Sequence, residues 1–508
     1  MSIKSLAGQT MWYGVSTVLG RFINLLTTPI IGILATSING QQGSLYAAIA
    51  FLNIVFTFGM ETTFFRFSRD EKPSTVFNIA TSTIIVIGIP LAILLISLRG
   101  SISELLSVPN APHLIILAVT IILLDALASM PFAKLRLEGR PRKFALIKII
   151  NVVLNVLFIF IFIIVIPWMQ KTGFANGIFA TYALEKNALS FILSSNIIAS
   201  CITLLLLIPE FKEYKFRLHK TLWKKMLVYT LPLVIVGLGG MINDVSDRIM
   251  LPRLLEGSLE TRNELTGIYN LNFKLAALII IFIQAFRMGA EPFFIKQSTD
   301  KNAPQTYARI MTLFVIMCCI GILSVLLFRD VWGYYIKVNL HPERAAGFVI
   351  VPILLLSKVL YGIYYNLSVW FKLENKTHIG AIITLAGAAI TLTLNFLFIP
   401  KYEYIACAWA SLACYGFMVI ASYLIGRKYY PVPYNIPKIA IYLGVTYVIY
   451  FGHTAFLEYI SNFLVESPHS FHWKILIGIT FLLFFLSFVL FYDRKEFSAL
   501  PVIGKYLK

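Results

Sequence analysis

The sequence contains few charged residues and no long hydrophilic segment. Of its 508 residues only 13% are charged and 58% are hydrophobic, and no polar stretch exceeds about 20 residues. A soluble domain needs more polar surface than this, and no room is left for one outside the apolar runs. The composition therefore excludes a soluble enzyme or receptor and predicts a chain whose solvent is lipid.

Cysteine and histidine are also scarce, with 5 and 7 residues respectively. All the cysteines fall inside apolar segments without metal-ligand spacing, where a thiol behaves as a small hydrophobic group. The histidines are scattered at predicted helix ends. The sequence therefore predicts no cofactor, no metal site and no disulfide framework.

Acidic residues are outnumbered, since 24 Asp and Glu face 43 Lys and Arg and give a net charge of +19. Such an excess suits nucleic-acid binding only when the basic residues form one patch. Here they crowd into short connections between apolar runs, where they orient a membrane protein. We expect no nucleic-acid partner.

Fourteen apolar runs are long enough to cross a hydrocarbon core of about 30 Å. They predict an all-α integral membrane protein with about 14 transmembrane helices. The runs lie near 11–36, 44–65, 76–98, 113–133, 144–167, 188–208, 225–250, 267–290, 307–328, 347–371, 378–400, 404–426, 437–457 and 472–492.

An even number of helices places both termini on the same side of the membrane. When successive connections are assigned alternately to the two sides of the membrane, most of the Lys and Arg residues fall on the side of the termini. The two most basic loops, Lys134 to Lys143 and Lys212 to Lys225, are on that side. Basic connections are retained in the cytoplasm. We therefore predict a multi-pass membrane protein with both termini cytoplasmic.

Two segments of the chain repeat the same residue types. The end of predicted helix 2, Gly59 to Asp70, and the end of predicted helix 8, Gly289 to Asp300, match at six positions. A second match relates helices 4 and 5 to helices 10 and 11 and pairs Asn155 with Asn395. Six helices per repeat keep the same orientation, so the halves are parallel repeats, as in many secondary transporters.

The repeat divides the chain into three parts. We predict an N-lobe at 1–215 with helices 1–6, a C-lobe at 216–430 with helices 7–12, and helices 13 and 14 with a cytoplasmic tail at 431–508. Two parallel six-helix repeats of this kind enclose a central cavity, and the C-terminal helix pair lies beside them.

The order of several motifs resembles one transporter superfamily. The motifs are Lys4 to Ala7, the basic loop with Arg136 to Phe144, Leu231 to Arg248 in helix 7, and Gly267 to Asn270 opening helix 8. Over about residues 5–430 the chain resembles the multidrug/oligosaccharidyl-lipid/polysaccharide flippase superfamily, and most of all its bacterial polysaccharide exporters and O-antigen flippases. Helices 13 and 14 resemble the extra pair of lipid II flippases.

The resemblance implies a function. It implies movement of an undecaprenyl-diphosphate-linked oligosaccharide from the cytoplasmic to the periplasmic leaflet of the bacterial inner membrane. It also implies that helices 13 and 14 border a groove for the lipid tail. It also implies an arginine-rich cavity, to which Arg21 in helix 1 and Arg287 in helix 8 would correspond.

Six ionisable residues deep in the predicted helices are candidates for a functional site, because a charge is costly there. Most are cationic, which suits a diphosphate because guanidinium groups bind phosphate oxygens bidentately. We predict that they bind substrate in the cavity. They are Arg21, Asp125, Lys148, Lys274, Arg287 and Lys358.

Alternatives stay open for some of these residues. Lys148 and Lys274 are close enough to helix ends to extend toward the interface. Asp125 is either a proton or cation site, or a counter-ion of Arg21 or Lys358. The polar residues Asn243 to Arg248 of helix 7 favour a solvated rim, in which Asp244 and Arg248 could pair at i, i+4.

The repeated helix ends carry charges that could act as a gate. Glu61 and Arg66 end helix 2, and Glu291 and Lys296 end helix 8. These charges either bridge the two lobes when the inner gate closes or anchor each helix within its own lobe. Pro29 with Gly32 in helix 1, and the Pro232 to Gly240 stretch in helix 7, indicate either hinges or close helix packing.

The sequence thus predicts a flippase or exporter that works by alternating access and is not an enzyme. Its partners would be the lipid-linked oligosaccharide and membrane lipids, with H⁺ or Na⁺ as a candidate coupling ion. One alternative is an ion-coupled drug or metabolite antiporter of the same fold, which an acidic cavity would favour. Another is a membrane glycosyltransferase, ligase or polymerase, which would need paired carboxylates or a histidine on a sizeable outer loop.

Overall fold

The computed structural model describes residues 18–173, 183–297, 300, 302–374, 376–464 and 470–494. Among these residues all regular secondary structure is helical, and twelve helices are long and apolar enough to cross a membrane. One of them, Thr377–Tyr429, has 53 residues and contains a break at Glu403, where φ is 50°. Two membrane helices therefore meet at that residue.

A shorter apolar helix, Val18–Ile31, precedes the twelve. Together with the divided helix it gives the fourteen predicted segments, so the predicted fold class is confirmed. We number them in chain order as α1 Val18–Ile31, α2 Thr36–Phe67, α3 Pro73–Ser97, α4 Pro112–Leu137, α5 Pro141–Lys171, α6 Leu184–Phe211, α7 Lys220–Leu254, α8 Leu259–Gln297, α9 Ala303–Leu326, α10 Pro342–Phe371, α11 377–402, α12 404–429, α13 Ile436–Leu464 and α14 Ser470–Tyr492.

Proline sets the start of several helices. Pro73, Pro112, Pro141 and Pro342 each open a helix, where the missing N–H has no intrahelical acceptor and the fixed φ already suits a helix. Apolar side chains then pack two main cores, one formed by residues between 45 and 226 and the other by residues between 251 and 489. The second core includes Tyr442 and Phe485, so α13 and α14 pack on the C-lobe.

The connections define two faces of the molecule. The basic face carries the connections after α2, α4 and α6. The opposite face carries the connections after α1, α3 and α9, with short helices at Arg99–Leu105 and Arg329–Tyr335.

Much of the basic α4–α5 loop is used within the N-lobe. Glu210 at the end of α6 is buried and accepts hydrogen bonds from Arg140 at 2.9 Å and Lys143 at 2.6 Å. Lys134 Nζ donates to the Glu210 carbonyl at 3.1 Å. These contacts fix the loop on α6, so its positive charge has a structural function.

The two predicted hinge regions differ. Pro29 cannot donate to the carbonyl of Leu25, and the hydroxyl of Tyr335 from the C-lobe donates to that carbonyl at 2.8 Å. α1 then ends at Ile31, before Gly32. By contrast, α7 continues without interruption through Pro232. Of the two predicted hinge regions, only the one in α1 of the N-lobe coincides with the end of a helix.

Candidate functional site

A cavity of about 970 Å³ lies between the two lobes. Helices α1, α2, α5 and α6 of the N-lobe line one side, and α7, α8, α10, α11 and α12 of the C-lobe line the other. This agrees with the predicted position of the cavity.

The charges on the cavity wall are mainly positive. Among the described residues, five cations face one carboxylate, that of Asp244. Four of the cations were predicted from the sequence, and Arg248 is the fifth. The cations are Arg21, Arg248, Lys274, Arg287 and Lys358.

One face of α8 runs along the cavity for much of its depth. Asn270, Lys274, Ala277, Gln284 and Arg287 all line it, and their spacing of three, four or seven residues places them on the same side of a helix. The face carries a cation near each end and neutral side chains between them.

The polar end of α7 lines the cavity, where the Asp244 side chain is 47% exposed, so the predicted solvated rim stays a prediction for Asp244. Asp247 is buried and accepts hydrogen bonds from the hydroxyl of Tyr269 and the backbone N–H of Arg248. The Arg248 side chain lies 3.6 Å from the Asp247 carboxylate and donates to the carbonyl of Asp244, not to its carboxylate. Packing against α8 removes Asp247 from bulk water.

Lys358 is paired with a carboxylate that the sequence analysis did not assign to it. Its ammonium is fully buried, lies 3.4 Å from Asp244 Oδ1, and lies 4.8 Å from the ring centre of Phe273. The counter-ion is thus on α7 of the same lobe and not Asp125. The pair offsets part of the cost of burying both charges.

The C-lobe wall is rich in tyrosine, a feature that the sequence analysis missed. Tyr361, Tyr364, Tyr365 and Tyr415 line the cavity, and the guanidinium of Arg287 lies 4.4 Å from the ring centre of Tyr365. The i, i+3, i+4 spacing in α10 was the available signal. Flat rings with a hydroxyl edge suit both cations and sugar rings.

Asp125 and Lys148 are not among the residues that line the cavity. The Asp125 carboxylate accepts a hydrogen bond from Ser200 on α6 at 2.8 Å, and the Lys148 ammonium lies 4.3 Å from the ring centre of Phe132. Both therefore lie among α4, α5 and α6 of the N-lobe. A role for them in substrate binding stays a prediction.

The charged ends of α2 make contacts within their own lobe. Glu61 accepts a hydrogen bond from Arg136, and Arg66 pairs with Asp70. The side chains of Glu291 and Lys296 lie outside the described part of the structure. A charged gate between the lobes stays a prediction for another conformation.

The lobes meet closely at the opposite face, where α2 crosses α8. A Cβ atom at Gly267 would lie 1.9 Å from the carbonyl oxygen of Thr36, and one at Gly40 would lie 2.0 Å from the carbonyl oxygen of Asn263. Asn270 also donates to the carbonyl of Asn39 at 3.0 Å. Only glycine permits this approach, and the contact closes the cavity toward that face.

Arg344, which the sequence analysis did not single out, extends this contact. It precedes the regular part of α10 and is completely buried. It donates to the carbonyls of Gly32 at 2.6 Å and Leu34 at 2.7 Å, and to the hydroxyl of Thr36 at 3.0 Å, all in the N-lobe. A single C-lobe side chain therefore satisfies the carbonyls that the end of α1 leaves free.

No group of three or more His, Cys, Asp or Glu residues that could hold a metal ion occurs in the described ranges. The cavity wall offers cations, amides, hydroxyls and aromatic rings. Cations, amides and hydroxyls can donate hydrogen bonds to oxyanions, and aromatic rings can pack against flat or ring-shaped groups.

Two packed helical lobes around a polar intramembrane cavity define a membrane transporter or flippase. A sequence profile of the polysaccharide biosynthesis protein family matches residues 6–298, more than half of the chain. The chain belongs to that family. No curated protein sequence matches the chain.

The fold is similar to those of several solved transporters. Lipid II flippase MurJ in an inward closed conformation is 14% identical and gives a TM-score of 0.69 over 94% of this chain and 99% of that one. An inward-facing multidrug resistance MATE family transporter of the MOP superfamily is 14% identical, with a TM-score of 0.56 over 84% of this chain and 94% of that one. A Vibrio cholerae MATE transporter is 16% identical, with a TM-score of 0.52 over 84% and 98%. These matches confirm the predicted fold.

Proposed function

We propose that the protein translocates an undecaprenyl-diphosphate-linked oligosaccharide from the cytoplasmic to the periplasmic leaflet of the bacterial inner membrane by alternating access. The observation that carries the proposal is the charge of the cavity, where five cations and one carboxylate line the wall in the part of the chain that the structure describes. Because buried charges require partners, a cavity with this excess favours an anionic ligand.

The diphosphate would lie between Arg21 and Arg287. Both side chains line the cavity, and their charges are close enough to repel each other. A shared anion relieves that repulsion, and two guanidinium groups can bind phosphate oxygens bidentately. The neighbouring tyrosines and amides would contact the first sugars.

The two lobes would rock around this site. The contact of α2 with α8 and the Arg344 hydrogen bonds hold the opposite face closed in the present conformation. Opening that face would release the headgroup to the other leaflet. An inside-negative membrane potential favours outward movement of an anion by about 2.3 kcal/mol per charge per 100 mV.

A flipping measurement tests the proposal. In proteoliposomes with a fluorescent undecaprenyl-diphosphate oligosaccharide, an impermeant quencher added outside should reach all of the labelled lipid, because the protein moves inner-leaflet molecules to the outer leaflet. In protein-free vesicles the quencher should reach only the half of the labelled lipid that lies in the outer leaflet. A phosphatidylcholine with the same fluorophore serves as the matched lipid and should not move. Uptake of a cationic drug without movement of the glycolipid would instead assign the protein to the antiporter class.

Both termini and the basic face are proposed to be cytoplasmic, and cysteine labelling tests this orientation. Four of the five native cysteines are buried, so only Cys201 requires replacement by alanine. Leu340→Cys, at a position 52% exposed on the opposite face, should react with an impermeant maleimide in intact cells, and Glu213→Cys on the basic face should not. The reverse pattern would invert the topology.

A further inference from the structure

The cavity contains a lysine without a counter-ion. Lys274 lines the cavity on α8, and among the described residues it has no ion-pair or hydrogen-bond partner. The charged groups that act on its ammonium are Arg248 and Arg344, and both are positive. Since a poorly solvated ammonium beside two cations is unstable, an anion that enters this end of the cavity would be strongly favoured.

The nearby carboxylates are already occupied. Asp244 lies 3.4 Å from the ammonium of Lys358. Asp247 accepts hydrogen bonds from the hydroxyl of Tyr269 and the N–H of Arg248. Each acid of α7 is thus satisfied by another residue, which leaves Lys274 as a cation in need of an external partner.

Lys274 is also far from the proposed diphosphate position. Both residues line the cavity, and Lys274 lies 13 residues before Arg287 on α8, which corresponds to about 20 Å along a helix. The cavity residues of α8 between them, Ala277, Ile280, Ile281 and Gln284, are uncharged. The cavity therefore has two separate cationic ends, and a diphosphate group is too short to reach both.

We infer that Lys274, with Arg248 beside it, forms a second anion-binding site that takes a carboxylate-bearing sugar of the glycan while the diphosphate lies at Arg21 and Arg287. The inference rests on the proposed function and narrows its substrate class to acidic lipid-linked oligosaccharides. The chemistry at the site is recognition of an oxyanion. A second source of that oxyanion is the diphosphate itself at a later step of transport.

Two synthetic lipids separate these sources. One is an undecaprenyl-diphosphate trisaccharide that ends in glucuronic acid, and the other ends in glucose. The full-length wild-type protein in lipid nanodiscs should bind the acidic lipid more tightly, by about tenfold, because it gains one charge-assisted hydrogen bond. This comparison needs no variant and does not depend on the folding of one.

Variants then assign the preference to Lys274. Lys274→Met keeps the length of the side chain. It should lower the affinity for the acidic lipid until it equals the affinity for the neutral lipid, and it should leave the affinity for the neutral lipid unchanged. Lys274→Arg should retain the preference. Arg287→Gln should weaken the binding of both lipids and preserve the ratio of the two affinities.

Three results would overturn the inference. Equal affinity of the wild-type protein for the two lipids would exclude an acidic-sugar site. An equal loss of affinity for both lipids in Lys274→Met would show that Lys274 contacts the diphosphate. If the wild-type protein bound neither lipid, both the proposed function and the inference would be wrong. That result differs from equal binding of the two lipids, which contradicts the inference alone.

Discussion

Replacement of Arg344 by methionine should open the opposite face of the protein. Between the lobes, the substitution removes hydrogen bonds to the buried carbonyls of Gly32 and Leu34 and to the hydroxyl of Thr36. Each buried carbonyl left without a partner costs about 1–3 kcal/mol. In an open conformation water can reach those carbonyls, so the cost falls on the closed conformation and the equilibrium shifts toward opening.

The shift can be measured as thiol reactivity in the cavity. Ala277→Cys places a small thiol on the cavity face of α8, and an impermeant reagent applied from the opposite face should reach it slowly while that face is closed. Adding Arg344→Met should accelerate labelling by at least about tenfold. Arg344→Lys, which can satisfy fewer of the carbonyls, should give an intermediate rate.

Arg329→Met is the matched control. Arg329 lies in the connection between α9 and α10. Its guanidinium lies 4.6 Å from the ring centre of Phe348 within the C-lobe. Its loss should leave the labelling rate unchanged. If Arg344→Met labels no faster than this control, Arg344 does not hold the lobes together.

The fold was predictable because its main determinant is local. A run of about 20 apolar residues has few options other than a membrane helix, and the repeated motifs then fix how the helices group. The division at Glu403 also follows from length, since a 53-residue helix exceeds one span. These features need no knowledge of which helix packs on which.

The site was predictable only in part, because it depends on contacts between distant segments. Any deep cation is a candidate, so Arg21 and Lys274 could be named, but the sequence does not reveal that Asp244 is the counter-ion of Lys358. Arg344 lies in the first turn of α10, next to the α9–α10 connection, where a basic residue is normally solvated. Only the approach of α1 to that connection makes it a buried contact.

Asp125 illustrates the same limit. A carboxylate at mid-depth in a helix predicts a functional site, but the direction in which it points depends on the rotation of α4. In the structure it accepts a hydrogen bond from Ser200 inside the N-lobe. A hydrogen-bonded aspartate between helices and a cavity ligand have the same local sequence.

Removal of either arginine at the proposed diphosphate position should strongly impair export. Arg21→Ala and Arg287→Ala each delete charge-assisted hydrogen bonds worth about 1.5–3 kcal/mol apiece, so each should lower the flipping rate by about tenfold to a hundredfold. The double variant should lose more than either single variant unless the two side chains hold the diphosphate as one unit. Lysine at either position should restore only part of the rate, because an ammonium keeps the charge and loses the bidentate geometry.

Arg427→Ala provides the matched control. Its guanidinium also lies near a tyrosine, 5.8 Å from the ring centre of Tyr423, but it is not part of the cavity wall. We expect normal flipping and normal amounts of protein in the membrane for this variant. Arg21 and Arg287 variants should also be present in normal amounts, because both side chains are exposed to the cavity and do not fill a core. A full flipping rate in either alanine variant would remove that arginine from the site, whereas reduced protein in the membrane would show that it supports folding instead.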